Sequence, residues 1–185
     1  MSKRELNKLR DLIEQLFVDS VAGKLGNQSI TIGILTKQGK EALMSISGLK
    51  FKDEVKFCLH TSDLVHIYNR HYGRNESDRR RQIPLTIEDI RSIADILMHP
   101  DVITYIGENA NGHNFRLALE CTDGRLSMIE VCALGKSRLT PKSYLKKKKG
   151  ATSTGSASDS ILSLTSETAG ATLSGANIPI LLESK

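Results

Sequence analysis

The chain has no tryptophan, only four phenylalanines and four tyrosines, and just three cysteines in 185 residues. So thin an aromatic complement leaves no stacking platform of the kind that sequence-tolerant single-strand binders use. Cys58, Cys121 and Cys132 are odd in number, widely spaced and embedded in apolar runs, which suggests neither a disulfide framework nor a zinc site. They are expected as buried thiols in a reducing compartment. Also missing is any apolar run long enough to span a bilayer, and the N-terminus, MSKRELNKLRDLIEQLF, is charged where a signal peptide needs an apolar block. No membrane association and a cytoplasmic location are therefore expected. There is no internal repeat.

What is present is basic charge, unevenly spread. Residues 150–185 carry only Lys185 against Asp159, Glu167 and Glu183, so the first 149 residues hold 25 basic against 18 acidic side chains, a net +7. That asymmetry points to a polyanionic partner, with nucleic acid first among them. The length suits one domain with a proper core plus some extra sequence. Three segments are expected: an amphipathic helix and linker over 1–28, a folded body over 29–149, and a tail over 150–185. The tail is mostly Ser, Thr, Gly and Ala, too poor in apolar surface to offset its ordering entropy, so it is expected to be disordered.

In the first segment Leu6, Leu9, Ile13, Leu16 and Phe17 recur at helical spacing over residues 3–19. SITIGIL is rich in β-branched residues and predicts a strand, a short helix follows from Gln38 to Ser45, and VKFCLH alternates as a half-buried strand. His60 falls on the polar phase of that strand and is expected at the surface. Further on, VITYIG, NFRLALECT and LSMIEVCAL predict three strands, with Asp123-Gly124 as a hairpin turn between the last two. KSRLTPKSYLKKKK, from Lys136 to Lys149, contains no acid and is expected as a final strand ending in a basic tail.

Between these strands lies the stretch richest in chemistry, Thr61 to Asp101. A helix opened by Thr61 or Ser62 and closed by Gly73 would carry His66, Arg70 and His71. At about 100° per residue, His66 and Arg70 share a face while His71 sits about 140° round from His66, in the last turn where the helix dipole favours imidazolium. Arg74, Arg79, Arg80 and Arg81 follow in a polar connection, and guanidinium forks match phosphate oxygens. Pro84 and LTIEDI then start a second helix, capped by Thr86, with Ile87, Ile90, Ile93, Ala94 and Leu97 as its apolar stripe. His99, before Pro100, is a boundary residue. The acids between 86 and 101 look like helix-start and solvent residues rather than metal ligands, so no metal site and no cofactor are expected.

In order, these pieces are a strand, the H-I-x-x-R-H helix, an arginine loop, the I-P-L-T-I-E-D-I helix, Pro-Asp, and a meander with a basic Ser-Tyr end. Over roughly residues 30 to 149 the chain resembles the phage-encoded members of the barnase, EndoU, colicin-type and RelE-like (BECR) nuclease group. The resemblance implies an α+β fold with helices packed on a four-stranded antiparallel sheet, and a metal-independent ribonuclease acting as a phage or mobile-element toxin or effector. It implies His66 and His71 as acid and base, Arg70 as phosphate clamp, and Thr140 or Ser143 with Tyr144 as site residues of the last strand. Pro141 departs from the pattern by interrupting that strand. Arg74, Arg79, Arg80, Arg81, Lys136, Arg138, Lys142 and Lys146 are the expected nucleic-acid contacts. RNA, with tRNA among the candidates, and an immunity protein or phage partner are the implied partners. The rival reading is a non-catalytic accessory protein that binds nucleic acid or a protein through its basic face.

Overall fold

The structure, a computed structural model, describes residues 2–73, 83–148, 172–174 and 180–181. Along the chain run α1 (Lys3–Val21), β1 (Ser29–Leu35), α2 (Lys37–Ser47), β2 (Lys56–His60), α3 (Thr61–His71) and α4 (Ile87–Met98). Four strands follow, β3 (Val102–Asn109), β4 (Gly112–Glu120), β5 (Arg125–Leu134) and β6 (Arg138–Lys148), then two short ones, β7 (Thr172–Ser174) and β8 (Ile180–Leu181).

Local chemistry explains most of the helix ends. Ser2 and Glu5 cap α1 reciprocally, and Thr36 caps α2 by accepting the Gly39 N–H. Thr86 and Asp89 form the same reciprocal box on α4 as expected, but Asp89 is buried rather than a solvent residue, because its second oxygen faces Lys146 from β6. The start of α3 differs from expectation. The N-cap is His60, without a side-chain hydrogen bond, and Thr61 lies buried in the first turn. Since β2 runs into α3 with no turn between them, the Thr61 hydroxyl is drawn inward. There it donates to the Gly26 carbonyl at 2.9 Å and accepts the Gln28 N–H at 3.1 Å.

The sheet order is β7-β3-β4-β5-β6-β2-β1-β8. The expected meander is there, β3 to β6, with Gly124 in the left-handed region at the β4–β5 turn. The expected four strands are six in the body, because β1 and β2 join the same sheet. β2 pairs parallel to β6 through Lys56↔Arg138 and Phe57↔Leu139. Both strands were legible from sequence; their docking edge was not, since the pairing is non-local and very short. The tail also departs from expectation in part. Thr172–Ser174 pairs with β3 and Ile180–Leu181 with β1, at opposite edges, while the rest of 150–185 lies outside the described residues.

Chain length then requires the sheet to curl. Five residues separate Ser174 from Ile180, so six steps of chain reach at most about 22 Å, whereas eight flat strands would set the outer pair about 33 Å apart. Consistent with a curl, α2, which follows β1, touches β3 and β7.

One face of the sheet carries the core. Phe57, Phe115, Leu117, Val131 and Leu139 point there and close with Leu43 of α2 and Leu97 of α4 around a small apolar cavity. We call this the helix face. α1 packs outside α4 and α3, burying Leu9, Ile13, Leu16 and Phe17, and Arg10 ties it to Asp95 at 2.5 Å. Burying those four side chains contributes on the order of 6–12 kcal/mol before the entropy of ordering is charged against it.

Candidate functional site

The site is organised by an irregularity in β6. Side chains alternate along a strand, so Leu139 on the helix face places Thr140 on the reverse face and Pro141 back on the helix face. The ladder to β5 then jumps: Val131 pairs with Pro141 and Glu130 with Ser143, leaving Lys142 as an extra residue. Such a bulge turns consecutive residues to one side. Pro141, expected to interrupt the strand, is instead inside it, and lacking an N–H it sits where the regular ladder ends. Beyond the bulge the phase is inverted: Tyr144 and Lys146 meet Ser92 and Asp89 of α4, while Thr140 and Lys142 both approach Asp63 of α3.

Helix α3 runs beside β6 where β2 has left it. Residues 83–85 fix its far end: Ile83 donates to the Lys146 carbonyl and Leu85 to that of His71, each at 2.8 Å. Leu64 and Ile67 are buried, whereas His66 and Arg70 are exposed. Asp63, His66 and Arg70 fall within about 60° on the helix circumference. Asp63 joins this stripe to the sheet, its carboxylate accepting from the Lys142 ammonium at 2.8 Å and, more weakly, from the Thr140 hydroxyl at 3.5 Å. The Cys132 thiol, next to Thr140 in register, is pushed up by burial, with Lys142 opposing that shift and Asp63 adding to it, so this pair is felt inside the strand row.

Two residues not singled out from the sequence complete the patch. Arg116 on β4, Glu130 on β5 and Ser143 on β6 stand in direct register across the reverse face. Arg116 and Glu130 form an ion pair at 2.5 Å, and the Arg116 Nε is buried without a hydrogen-bond partner. The signal was available: a charged residue in mid-strand, in NFRLALE and again in LSMIEVCAL, costs free energy unless it is paired or used. Asp63 was missed because an acid in a first helical turn already has a use there.

The structure sets Thr140 and Lys142 against Asp63, on the helix that carries His66 and Arg70, with Ser143 on the same face of the sheet, although Thr140 is fully buried. It separates others from them. His71 is half-buried on a different side of α3. Tyr144 is fully buried on the helix face, its hydroxyl 2.9 Å from Ser92 Oγ, and burial pushes the phenol above its ordinary range. Lys146 is held by buried Asp89. Arg138 is exposed at the start of β6 with Lys136 just before it, and Arg74, Arg79, Arg80 and Arg81 lie outside the described residues. His60 is half-buried, not at the surface, and its Nε2 is enclosed without a hydrogen-bond partner, because α3 leaves directly from it.

The arrangement is a one-sided patch in which two carboxylates each face a cation, with an imidazole and a guanidinium further along the helix stripe of Asp63. Such a set can hold a phosphate and exchange protons with the groups around it. Neither a curated protein nor a solved structure matches the chain. Residues 30–153, well over half of it, match the family described as phage-Barnase-EndoU-ColicinE5/D-RelE like nuclease3, and the chain belongs to that nuclease family.

Proposed function

We propose that the chain is a metal-independent endoribonuclease, a phage or mobile-element effector acting on cytoplasmic RNA, with its site on the reverse face between β4, β5, β6 and α3. The observation that supports this most is the shared face: Arg116, Glu130, Ser143 and Lys142 across the strands, with Asp63, His66 and Arg70 alongside. In the proposed reaction the ribose 2′-oxygen attacks the adjacent phosphorus as a base takes its proton. The bond to the 5′-oxygen breaks as an acid protonates it, leaving a cyclic phosphate. Glu130 and His66 are the proton-transfer pair on this face. Arg70, Lys142 and Arg116 are the cations for the charge that builds on the non-bridging oxygens, a role that guanidinium and ammonium groups fill without a metal. Both patch carboxylates already face a cation, which suits them to proton transfer and aiming rather than to holding a divalent ion.

The test is incubation of purified protein with RNA in excess EDTA. Cleavage with cyclic phosphate ends is expected, and a 2′-deoxy substitution at the cleaved position should stop it. If every RNA stays intact, the ribonuclease reading fails and the accessory-binder reading replaces it; if EDTA abolishes cleavage, the metal-independent mechanism fails.

A further inference from the structure

We propose that Asp63 is a positioning residue: it aims the Lys142 ammonium at the phosphate that the reverse face would hold, beside the Ser143 that the bulge turns to the same face. The ligand rests on the ribonuclease reading. Lys142 follows Thr140 onto the reverse face by plain alternation, and the bulge keeps Ser143 beside it there while sending Tyr144 and Lys146 to the helix face. Once turned to the reverse face, a lysine on a flexible four-carbon stem has many rotamers, and fixing one costs entropy that a partner must offset. Asp63 supplies the partner at 2.8 Å, and is itself mostly sheltered, with 19% of its side chain exposed against 36% for Lys142. Asp63 stands one helical turn before His66 and two before Arg70. The ammonium is therefore tied to the helix that carries the other charged groups.

The sign of the effect separates positioning from plain charge. A carboxylate beside a polyanion repels it, so on charge alone Asp63→Asn should tighten RNA binding. If Asp63 aims Lys142, the same change should loosen it. The experiment measures affinity for a single-stranded RNA with 2′-O-methyl riboses, which cannot be cut, over a range of salt, for the full chain and its variants. Lys142→Ala should weaken binding and reduce the salt slope by about 0.7, as expected for one lost phosphate contact on a single strand. Asp63→Asn should weaken binding about fivefold when Lys142 is present and have no effect in the Lys142→Ala background. Asp63→Glu keeps the charge but moves it by one methylene; it should weaken binding about twofold, again only with Lys142 present. That variant carries the test if Asp63→Asn does not fold.

Tighter binding in Asp63→Asn, or the same loss with and without Lys142, overturns the proposal. A chain that binds this RNA but never cuts a natural one would sink the ribonuclease reading and leave the Asp63–Lys142 coupling to be decided by the same cycle. A chain that does not bind it at all overturns both.

Discussion

Lys142 and Lys146 stand four residues apart on one strand, each against an aspartate on a helix, and yet they do different work. The Lys146–Asp89 pair is nearly sealed, at 12% and 8% side-chain exposure, beneath α4. The Lys142–Asp63 pair, at 36% and 19%, lies open to a ligand on the other side of the sheet. An even spacing should put both on the same face; one inserted residue separates them. A basic strand is thus not one electrostatic surface. Which lysines meet solvent and which hold the fold together is decided by register, and a count of positive charges cannot show it.

The largest effects that would break this contrast concern cleavage. His66→Ala and Glu130→Gln should each reduce RNA cleavage by about a hundredfold or more with little change in melting temperature, as general acid-base groups do. Arg70→Ala should act in the same direction through lost charge stabilisation. His71→Ala, on another side of α3, should cost much less; an equal loss would show that the site wraps around the helix end. Next in size is stability. Removing Lys146 leaves Asp89 charged in a nearly closed environment, so Lys146→Ala should destabilise the fold by about 3 kcal/mol, measured by denaturant unfolding. Lys142→Ala, with its exposed pair, should cost less than about 1 kcal/mol in the same measurement. Equal costs would erase the distinction between the two faces.

Smaller effects sharpen the picture. Removing residues 151–185 should leave cooperative unfolding intact, because the core lies within the body, but it uncovers the outer edges of β1 and β3. Concentration-dependent self-association of the shortened chain, seen by light scattering, is expected from those open edges. Tyr144 gives a pH signature. Its phenol is pushed up by burial, so it stays neutral in the fold while the unfolded chain ionises near its ordinary value of about 10. The resulting stability is complete below that pH and is lost as pH rises above it. Tyr144→Phe should therefore flatten the decline in stability between about pH 10 and 11.

The helices and the meander were legible because each is a local pattern. Leu9, Ile13, Leu16 and Phe17 repeat at helical spacing, Thr86 and Asp89 form a box within one turn, and Gly124 marks its own turn. His66 and Arg70 were legible as a pair for the same reason, since both lie on one helix. What could not be read was anything that depends on two segments meeting. Arg116 faces Glu130 only because β4 and β5 pair in that register, and Asp63 faces Lys142 only because α3 packs beside β6. Tyr144 was expected beside the site because it follows Ser143; the inverted phase after the bulge carries it into the core instead.

The last strand of the body to be synthesised, β6, is also among its innermost, lying between β5 and β2. Until β6 emerges, β2 has no neighbour on that side, and the helix that continues from it lacks its packing on β6 and the Asp63–Lys142 pair. The patch is therefore incomplete in every chain that lacks the strand ending at Lys148, since that strand carries Thr140, Lys142 and Ser143. A chain halted on the ribosome before β6 carries His66, Arg70, Arg116 and Glu130 but not the strand that packs on α3 and pairs with β5.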